Sequence, residues 1–365
     1  MLDGMTGGCR SARLRRARAV IATVLPTACA AVLLSHVAPA SATLVYERGA
    51  SSPHPSIWLA EDSGASPRLL VGGSGGAQPL IAPDGSSVIF LSLPAHGSPA
   101  LEIVGVSGGP PTVLASAEAN IGSTAWSPDS TTIATTLGVS PDNERLVLID
   151  VATRSVRTVA TGSFQGVSFS PDSTQLAYAR APNAKGFPSA SDIYTVAVAG
   201  GAPRRITTNR RSTQPVWGPT KIAFARTSIV REHREKAPKS NVWLMNPDGS
   251  QARPLTRQKA PFLLAGPSPL AWSASGAQLL AQFSGEDTVY GEGVDPQTGA
   301  VHVLSPGKSI AYGLIAAGIS RDGSTVLATT GGFEPGPGHN IVTVPFAGGP
   351  PTTLVRNAFA PSWND

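Results

Sequence analysis

Two stretches of the chain fit the Gly-x-Ser-x-Gly pattern in which a strained turn exposes a serine nucleophile: Gly72-Gly73-Ser74-Gly75-Gly76 and Gly105-Val106-Ser107-Gly108-Gly109. Such a serine needs a strand before it and a helix after it. Both matches sit in glycine-rich hairpin turns, so neither is expected to be a nucleophile. Cysteine chemistry is not expected either, because Cys9 and Cys29 both precede residue 43, where the exported protein is expected to begin. Five histidines follow that point, His54, His96, His233, His302 and His339. They are scattered without metal-ligand spacing and read as surface or loop histidines. No cofactor and no metal is expected.

The strongest candidate for a binding function is an insertion, Thr227 to Ser240, that carries Arg231, Glu232, His233, Arg234, Glu235, Lys236 and Lys239. Arg204, Arg205, Arg210 and Arg211 lie just upstream and extend the positive charge. Loops on a rigid scaffold are where binding determinants concentrate. Arg231, His233, Arg234, Lys236 and Lys239 are therefore the candidate partner-binding residues. The same composition also fits a solvated hairpin tip of mixed charge.

The elements that must position these groups recur along the chain. The turns Ile81-Ala82-Pro83-Asp84-Gly85, Trp126-Ser127-Pro128-Asp129-Ser130, Phe169-Ser170-Pro171-Asp172-Ser173 and Ile319-Ser320-Arg321-Asp322-Gly323 are near copies of one another. Trp217-Gly218-Pro219-Thr220 and Trp272-Ser273-Ala274-Ser275-Gly276 keep the tryptophan and lose the aspartate, and Trp363 stands in the last copy. Successive copies are 43 to 55 residues apart. Asp84, Asp129, Asp172, Asp322 and the four tryptophans read as structural turn residues, since Pro presets φ, Asp or Ser bonds the backbone two residues on, and Gly accepts positive φ. Each turn is followed by an alternating apolar strand such as Gln175 to Arg180. A second run such as Ile193 to Val198 follows, then a Gly-Gly or Asp-Gly hairpin and an outer strand such as Arg205-Ile206-Thr207. Four antiparallel strands per period make one blade. The expected fold is an all-β single β-propeller, with seven four-stranded blades and six as the alternative.

These repeats resemble the WD40-like (PD40) repeats of TolB-type β-propellers, whose consensus is a Trp-Ser-Pro-Asp-Gly turn, a strand and a Gly-Gly or Asp-Gly hairpin. The resemblance covers nearly all of residues 43–365. It implies a protein-binding or cell-envelope role, but only through the propeller, because the separate N-terminal α/β domain of TolB has no counterpart here. TolB propellers have six blades, so the count of seven departs from the family. Some peptidases share the repeat and carry an α/β-hydrolase domain beside it; here the chain is expected to end inside the ring. Propeller lyases and lactonases gather carboxylates or histidines where inner strands begin. The corresponding stretches here, including Gln78-Pro79-Leu80, Ser123-Thr124-Ala125 and Gln214-Pro215-Val216, contain neither. The leading expectation is a non-enzymatic interaction module, with an enzyme acting on a small molecule or carbohydrate in the central channel as the alternative.

The chain ends complete this reading. Thr43 to Arg48 looks like a second strand with no first strand before it, and Ala360 to Asp365 supplies the missing inner strand, which would close the ring and remove an open edge. Ahead of Thr43, five arginines between Arg10 and Arg18 precede an apolar run, Ala19 to Leu34, and Ala40-Ser41-Ala42 is a small-residue cleavage site. An uncleaved anchor fits less well, because the run is shorter than the roughly 20 residues that span a bilayer and is broken by Pro26. Residues 1–42 are thus expected to be a signal peptide, and 43–365 the propeller. Removing the signal takes five of the 28 Lys and Arg and one of the 23 Asp and Glu, leaving a net charge near +1. Such a charge does not suit a nucleic-acid partner. A secreted or periplasmic monomer without a stable membrane span, bound to a protein or cell-envelope component, is expected. N-terminal sequencing of protein recovered outside the cytoplasm should read from Thr43; a start near Met1 in the membrane fraction would refute cleavage.

Overall fold

The structure is a computed structural model that describes residues 43–50, 52, 54–72, 75–94, 97–140, 143–182, 190–232, 235–260, 264–285, 288–304, 313–331 and 338–364. The expected signal segment, Ser74, His96, His233, Arg234 and most of the loops at 183–189 and 332–337 lie outside the described residues. Among the described residues there is no helix, and hence none long and apolar enough to cross a membrane.

The strands follow one another as antiparallel meanders. β1 (Thr43–Arg48), β2 (Ser56–Glu61) and β3 (Arg68–Val71) share a sheet with the C-terminal strand. The next sheet holds β4 (Gly76–Ile81), β5 (Ser87–Ser92), β6 (Ala100–Gly105) and β7 (Thr112–Ser116). A seven-stranded sheet then runs through β8 (Asn120–Trp126), β9 (Thr132–Ser140), β10 (Asn143–Asp150), β11 (Val156–Phe169), β12 (Gln175–Ala181), β13 (Asp192–Ala197) and β14 (Arg204–Arg205). Within it the 14-residue β11 serves two units. Its first half pairs with β10 as an outer strand, and its second half pairs with β12 as an inner one. Three four-stranded sheets follow. They are β15 (Ser212–Trp217), β16 (Ile222–Glu232), β17 (Glu235–Met245) and β18 (Arg253–Pro254); β19 (Leu264–Trp272), β20 (Leu279–Gly285), β21 (Val289–Val294) and β22 (Val301–Leu304); and β23 (Leu314–Ile319), β24 (Thr325–Thr330), β25 (Asn340–Pro345) and β26 (Thr352–Arg356). β27 (Phe359–Trp363) pairs with β1. Outer strands are shorter than expected: β14 and β18 are two residues each, and Ile206 and Leu255 only bond backbone to Ile193 and Val242 beyond them.

Burial corrects one expectation from the periodicity. Alternation suggested strands buried on one face, yet the second strand of a unit is buried on both. Leu44, Val45, Tyr46 and Glu47 of β1 are all buried, as are Val326 to Thr329 of β24. Each sheet lies between two others, so both of its faces are interior. Seven apolar clusters occupy the interfaces. Val45, Ile57 and Leu59 pack on Val88 and Phe90, while Ile89 and Leu101 pack on Ile133 and Val147. Leu146 and Leu148 meet Leu176 and Tyr178; Ala177 and Ile193 meet Ile222 and Phe224. Ala223 and Leu244 meet Leu279 and Val294, and Leu280 and Leu304 meet Val326 and Val344. The seventh cluster returns Leu327, Ile341 and Val355 to Leu44 and Tyr46. Full burial of one such side chain contributes about 1.5–3 kcal/mol.

β27 bonds in three ways. Leu44, Val45 and Glu47 pair with Trp363, Ser362 and Phe359; the Ser362 hydroxyl accepts from the Ile81 N–H at 3.3 Å; and beyond the strand Asn364 Oδ1 accepts from the Thr43 N–H at 2.7 Å. Trp363 is half-buried beside Leu354 and Trp58. Deleting Ala360 to Asp365 removes the Trp363 and Ser362 pairings and both side-chain bonds at once, leaving only Phe359 opposite Glu47. The truncated protein is expected to melt roughly 10 °C or more below the full-length form, or to aggregate through the exposed edge of β1. Thermal denaturation at matched concentration checks this, and an unchanged midpoint would refute it.

Candidate functional site

Inner strands carry bulges near their starts, and the bulges decide what the mouth of the molecule presents. The ladder slips between Ala77 and Leu80 in β4, Ile121 and Thr124 in β8, Phe164 and Val167 in β11, and Thr213 and Val216 in β15. Gln78, Gln165 and Gln214 stand in these slips. Gln78 and Gln214 hold φ of 51° and 49°, and Ala360 in β27 holds 45°; each precedes a proline. A left-handed backbone costs a non-glycine residue about 1–2 kcal/mol, and a following proline disfavours helical values further. In β11 the equivalent bend falls on Gly166, φ 93°, where a Cβ would sit 2.9 Å from the Gln214 Cα.

Buried and half-buried polar side chains satisfy backbone N–H groups freed at the bulges. Glu47 Oε2 accepts from the Gln78 N–H at 3.1 Å, Glu144 Oε2 from the Phe164 N–H at 3.0 Å, and Gln282 Oε1 from the Ala316 N–H at 2.7 Å. Burial pushes the carboxyls of Glu47 and Glu144 above the usual range, and these hydrogen bonds only partly offset it. None of these three side chains was legible as a site residue, because a Glu or Gln inside a strand carries no motif.

Two cavities open at this mouth. One of about 350 Å³ is lined by Gln78, Pro79, Leu80, Ile89, Leu101 and Ser123 among others; one of about 550 Å³ by Ser123, Gln165, Gln214, Thr227, Pro238 and Ser240 among others. Among the described residues no charged one lines either. A third cavity of about 690 Å³ lies between the β16–β17 hairpin and the 209–211 segment, lined by Ala190, Asn209, Arg210, Arg211, Ile229, Lys236 and Pro238.

The insertion that the sequence marks as a loop is a continuation of β16 and β17. Their ladder runs through Ile229–Pro238 and Arg231–Lys236 to Glu232–Glu235, giving strands of 11 residues each. This hairpin brings Arg231 and Lys236, both exposed, to the face where inner strands begin, with Arg210 and Arg211 beside it. Lys239, expected on the contact surface, is buried at 6 % exposure. Arg205 is engaged by the buried Asp192, which also accepts from the Thr207 hydroxyl and, at 2.9 Å, from the Arg210 N–H. Among the described residues lining the groove beside Arg210, Arg211 and Lys236 there is no carboxylate. His233 and Arg234 fall outside the described residues.

The repeat turns lie at the opposite ends of the inner strands. The Ser170 and Ser320 hydroxyls donate to Asp172 and Asp322 at 2.6 Å, and the Thr174 and Ser324 N–H groups donate to the same carboxylates. These bonds, the serine's first, hold both carboxyls below the usual range. Asp129 is bonded in the same way by Ser127 and Thr131, and Asp84 accepts from the Ser86 N–H. The Trp126 and Trp272 indoles donate across to the Leu80 and Val216 carbonyls at 3.2 and 3.1 Å, while Trp217 packs on the cluster around Ile222 and Phe224. Two histidines depart from the surface reading. His302 bonds the Phe346 carbonyl and meets its ring edge-on, and His339 is buried against Phe359. Ser107 sits exposed in the β6–β7 turn with no helix after it. No group of three His, Cys, Asp or Glu gathers among the described residues.

No protein-family model and no curated protein matches the sequence. Solved structures do. TolB from Acinetobacter baumannii is similar over 85 % of this chain and 79 % of its own, at 17 % identity and a TM-score of 0.51. An oligogalacturonate lyase in complex with manganese is similar over 86 % and 83 %, at 16 % identity and 0.55. A puromycin-hydrolyzing peptidase from Mycobacterium tuberculosis reaches 0.62 at 17 % identity over 87 % of this chain, which spans about half (52 %) of that protein. These likenesses show the fold: the chain is an all-β propeller, of an architecture shared by TolB and by enzymes.

Glu292 of β21 is the most perturbed carboxyl. It is 1 % exposed, accepts one hydrogen bond from the Gln258 side chain at 2.8 Å, and is pushed up to about 7 by burial. A raised carboxyl favours the folded state below its unfolded value of 4.5, and that advantage is lost as pH climbs toward 7. Glu292→Gln should therefore gain stability over the parent as pH rises from 4.5 to 8, by up to roughly 3 kcal/mol. Urea titrations across that range check it; parallel curves would refute the buried, raised carboxyl.

Proposed function

We propose that the chain is an exported, non-enzymatic interaction module, related to the TolB-type WD40-like propellers, which binds a protein or cell-envelope component through the face where its inner strands begin. Its seven four-stranded units are then seven blades of a ring closed by β27. The observation that carries this reading is the lengthened β16–β17 hairpin, which sets Lys236 beside Arg210 and Arg211 around a groove of about 690 Å³ whose described lining residues include no carboxylate. A fold gains little from gathering like charges at one place. A partner bearing acidic groups gains faster encounter and a fixed register. An extracytoplasmic location follows from the export signal.

The test is capture from the envelope fraction of the producing cell by the exported protein and by an Arg211→Ser/Lys236→Ser variant. Capture by the parent is expected to weaken with salt, since exposed charges are screened within about 10 Å at 0.1 M. The variant should lose at least tenfold and depend less on salt, with a melting temperature unchanged because both side chains are exposed. Equal capture by both proteins would overturn the proposal, and turnover of a small molecule or oligosaccharide would favour a channel enzyme instead.

A further inference from the structure

Three cavities on one face adjoin through shared wall residues. Ser123 lines both the 350 Å³ and the 550 Å³ cavity, and Pro238 lines both the latter and the 690 Å³ groove. Together they form a track whose character changes along its length. Half-buried Leu80 and Leu91 make one end apolar, Gln78, Gln165 and Gln214 make the middle neutral and amide-bearing, and Arg210, Arg211 and Lys236 make the other end basic.

The glutamines are unexplained by the fold. Gln78 and Gln214 hold positive φ ahead of proline, whereas β11 and β19 place Gly166 and Gly266 where their backbones turn the same way. Glycine would adopt these values without strain. At position 78 the hydrogen bond to Glu47 uses the backbone N–H, which glycine retains. Both glutamines are exposed, and their amides bond no described residue. An amide adds a donor and an acceptor in one plane, which matches the C=O and N–H of an extended peptide unit. Among the described lining residues none is aromatic, and the apolar end suits an aliphatic side chain.

We propose that this track binds an extended peptide segment in one direction, with an apolar side chain against Leu80 and Leu91, peptide groups held by Gln78 and Gln214, and acidic side chains among Arg210, Arg211 and Lys236. The inference rests on the reading of this face as a protein-binding surface and assigns its partner's chemistry.

Phage-displayed random dodecapeptides selected on the immobilised exported protein provide the test. Enriched peptides are expected to carry an aliphatic residue at a fixed spacing from Asp or Glu. A selected peptide should bind Gln78→Gly/Gln214→Gly at least tenfold more weakly while that variant melts at or above the parent temperature. A merely structural role predicts the reverse. Gln78→Ala/Gln214→Ala, which keeps a Cβ, supplies the same readout if the glycine variant fails to fold. Failure to enrich any peptide, or undiminished binding by the glutamine variants, would overturn the proposal. Should Arg211→Ser/Lys236→Ser still lose the envelope partner in that case, the binding role of the face stands and only the peptide track falls.

Discussion

Every sheet in this molecule buries both faces yet leaves its inner strand with one edge that has no ladder partner. The backbone groups on that edge must find hydrogen bonds, because leaving them buried and unmade costs about as much as a broken bond. Side chains of adjacent sheets supply them. Ser362 accepts from Ile81, Ser123 from Gly166 and Ser168 from Trp217, while the Trp126 and Trp272 indoles donate to carbonyls of the preceding sheet's inner strand. Small hydroxyls and indoles at the inner strands are thus the seams between sheets, and apolar clusters fill the wedge outside them. Loss of one sheet would expose two faces, so stability is shared around the circuit of interfaces.

The same constraint shapes the candidate binding face. Inner strands converge at their starts, and Gly166 approaches Gln214 too closely for a Cβ. Bulges relieve the crowding by lifting one or two residues out of the ladder. Their freed N–H groups fall to the buried Glu47 and Glu144 and the half-buried Gln282. What faces outward is then neutral: glutamines, serines, threonines and small apolar residues. Charge enters only at the rim, where β16 and β17 run on past their neighbours and lean toward Arg210 and Arg211. A ligand of uniform character would match one part of this surface and miss the other.

Two sets of carboxyls pull stability in opposite directions with pH. The turn aspartates, Asp172 and Asp322 among them, have lowered values, so their contribution is present above the unfolded range and is lost as pH falls through the folded value. Glu47, Glu144 and Glu292 have raised values, and their contribution is lost as pH rises. The first set is exposed and holds turns; the second is buried and holds bulges or the Gln258 side chain. These two sets of carboxyls together favour a pH between the two ranges.

The turns were legible in the chain itself, because Pro, Asp, Ser and Gly act over two or three residues and their recurrence every 43 to 55 positions needs no tertiary contact to be seen. So was the pairing of β27 with β1, since a first strand was missing at one end and present at the other. Two-sided burial was not legible: an alternating strand looks half-exposed until a second sheet covers its other face. Nor was the ladder through Thr227 to Ser240, where dense charge masks a strand whose pairing is continuous. The sequence alone determined the repeat, its turns and a local excess of positive charge. Only the tertiary structure decided that Arg210, Arg211 and Lys236 share one groove, that Lys239 turns inward, and that Gln78 and Gln214 stand exposed on strained backbone. Those outcomes depend on how closely neighbouring sheets approach, a distance that no local run of residues encodes.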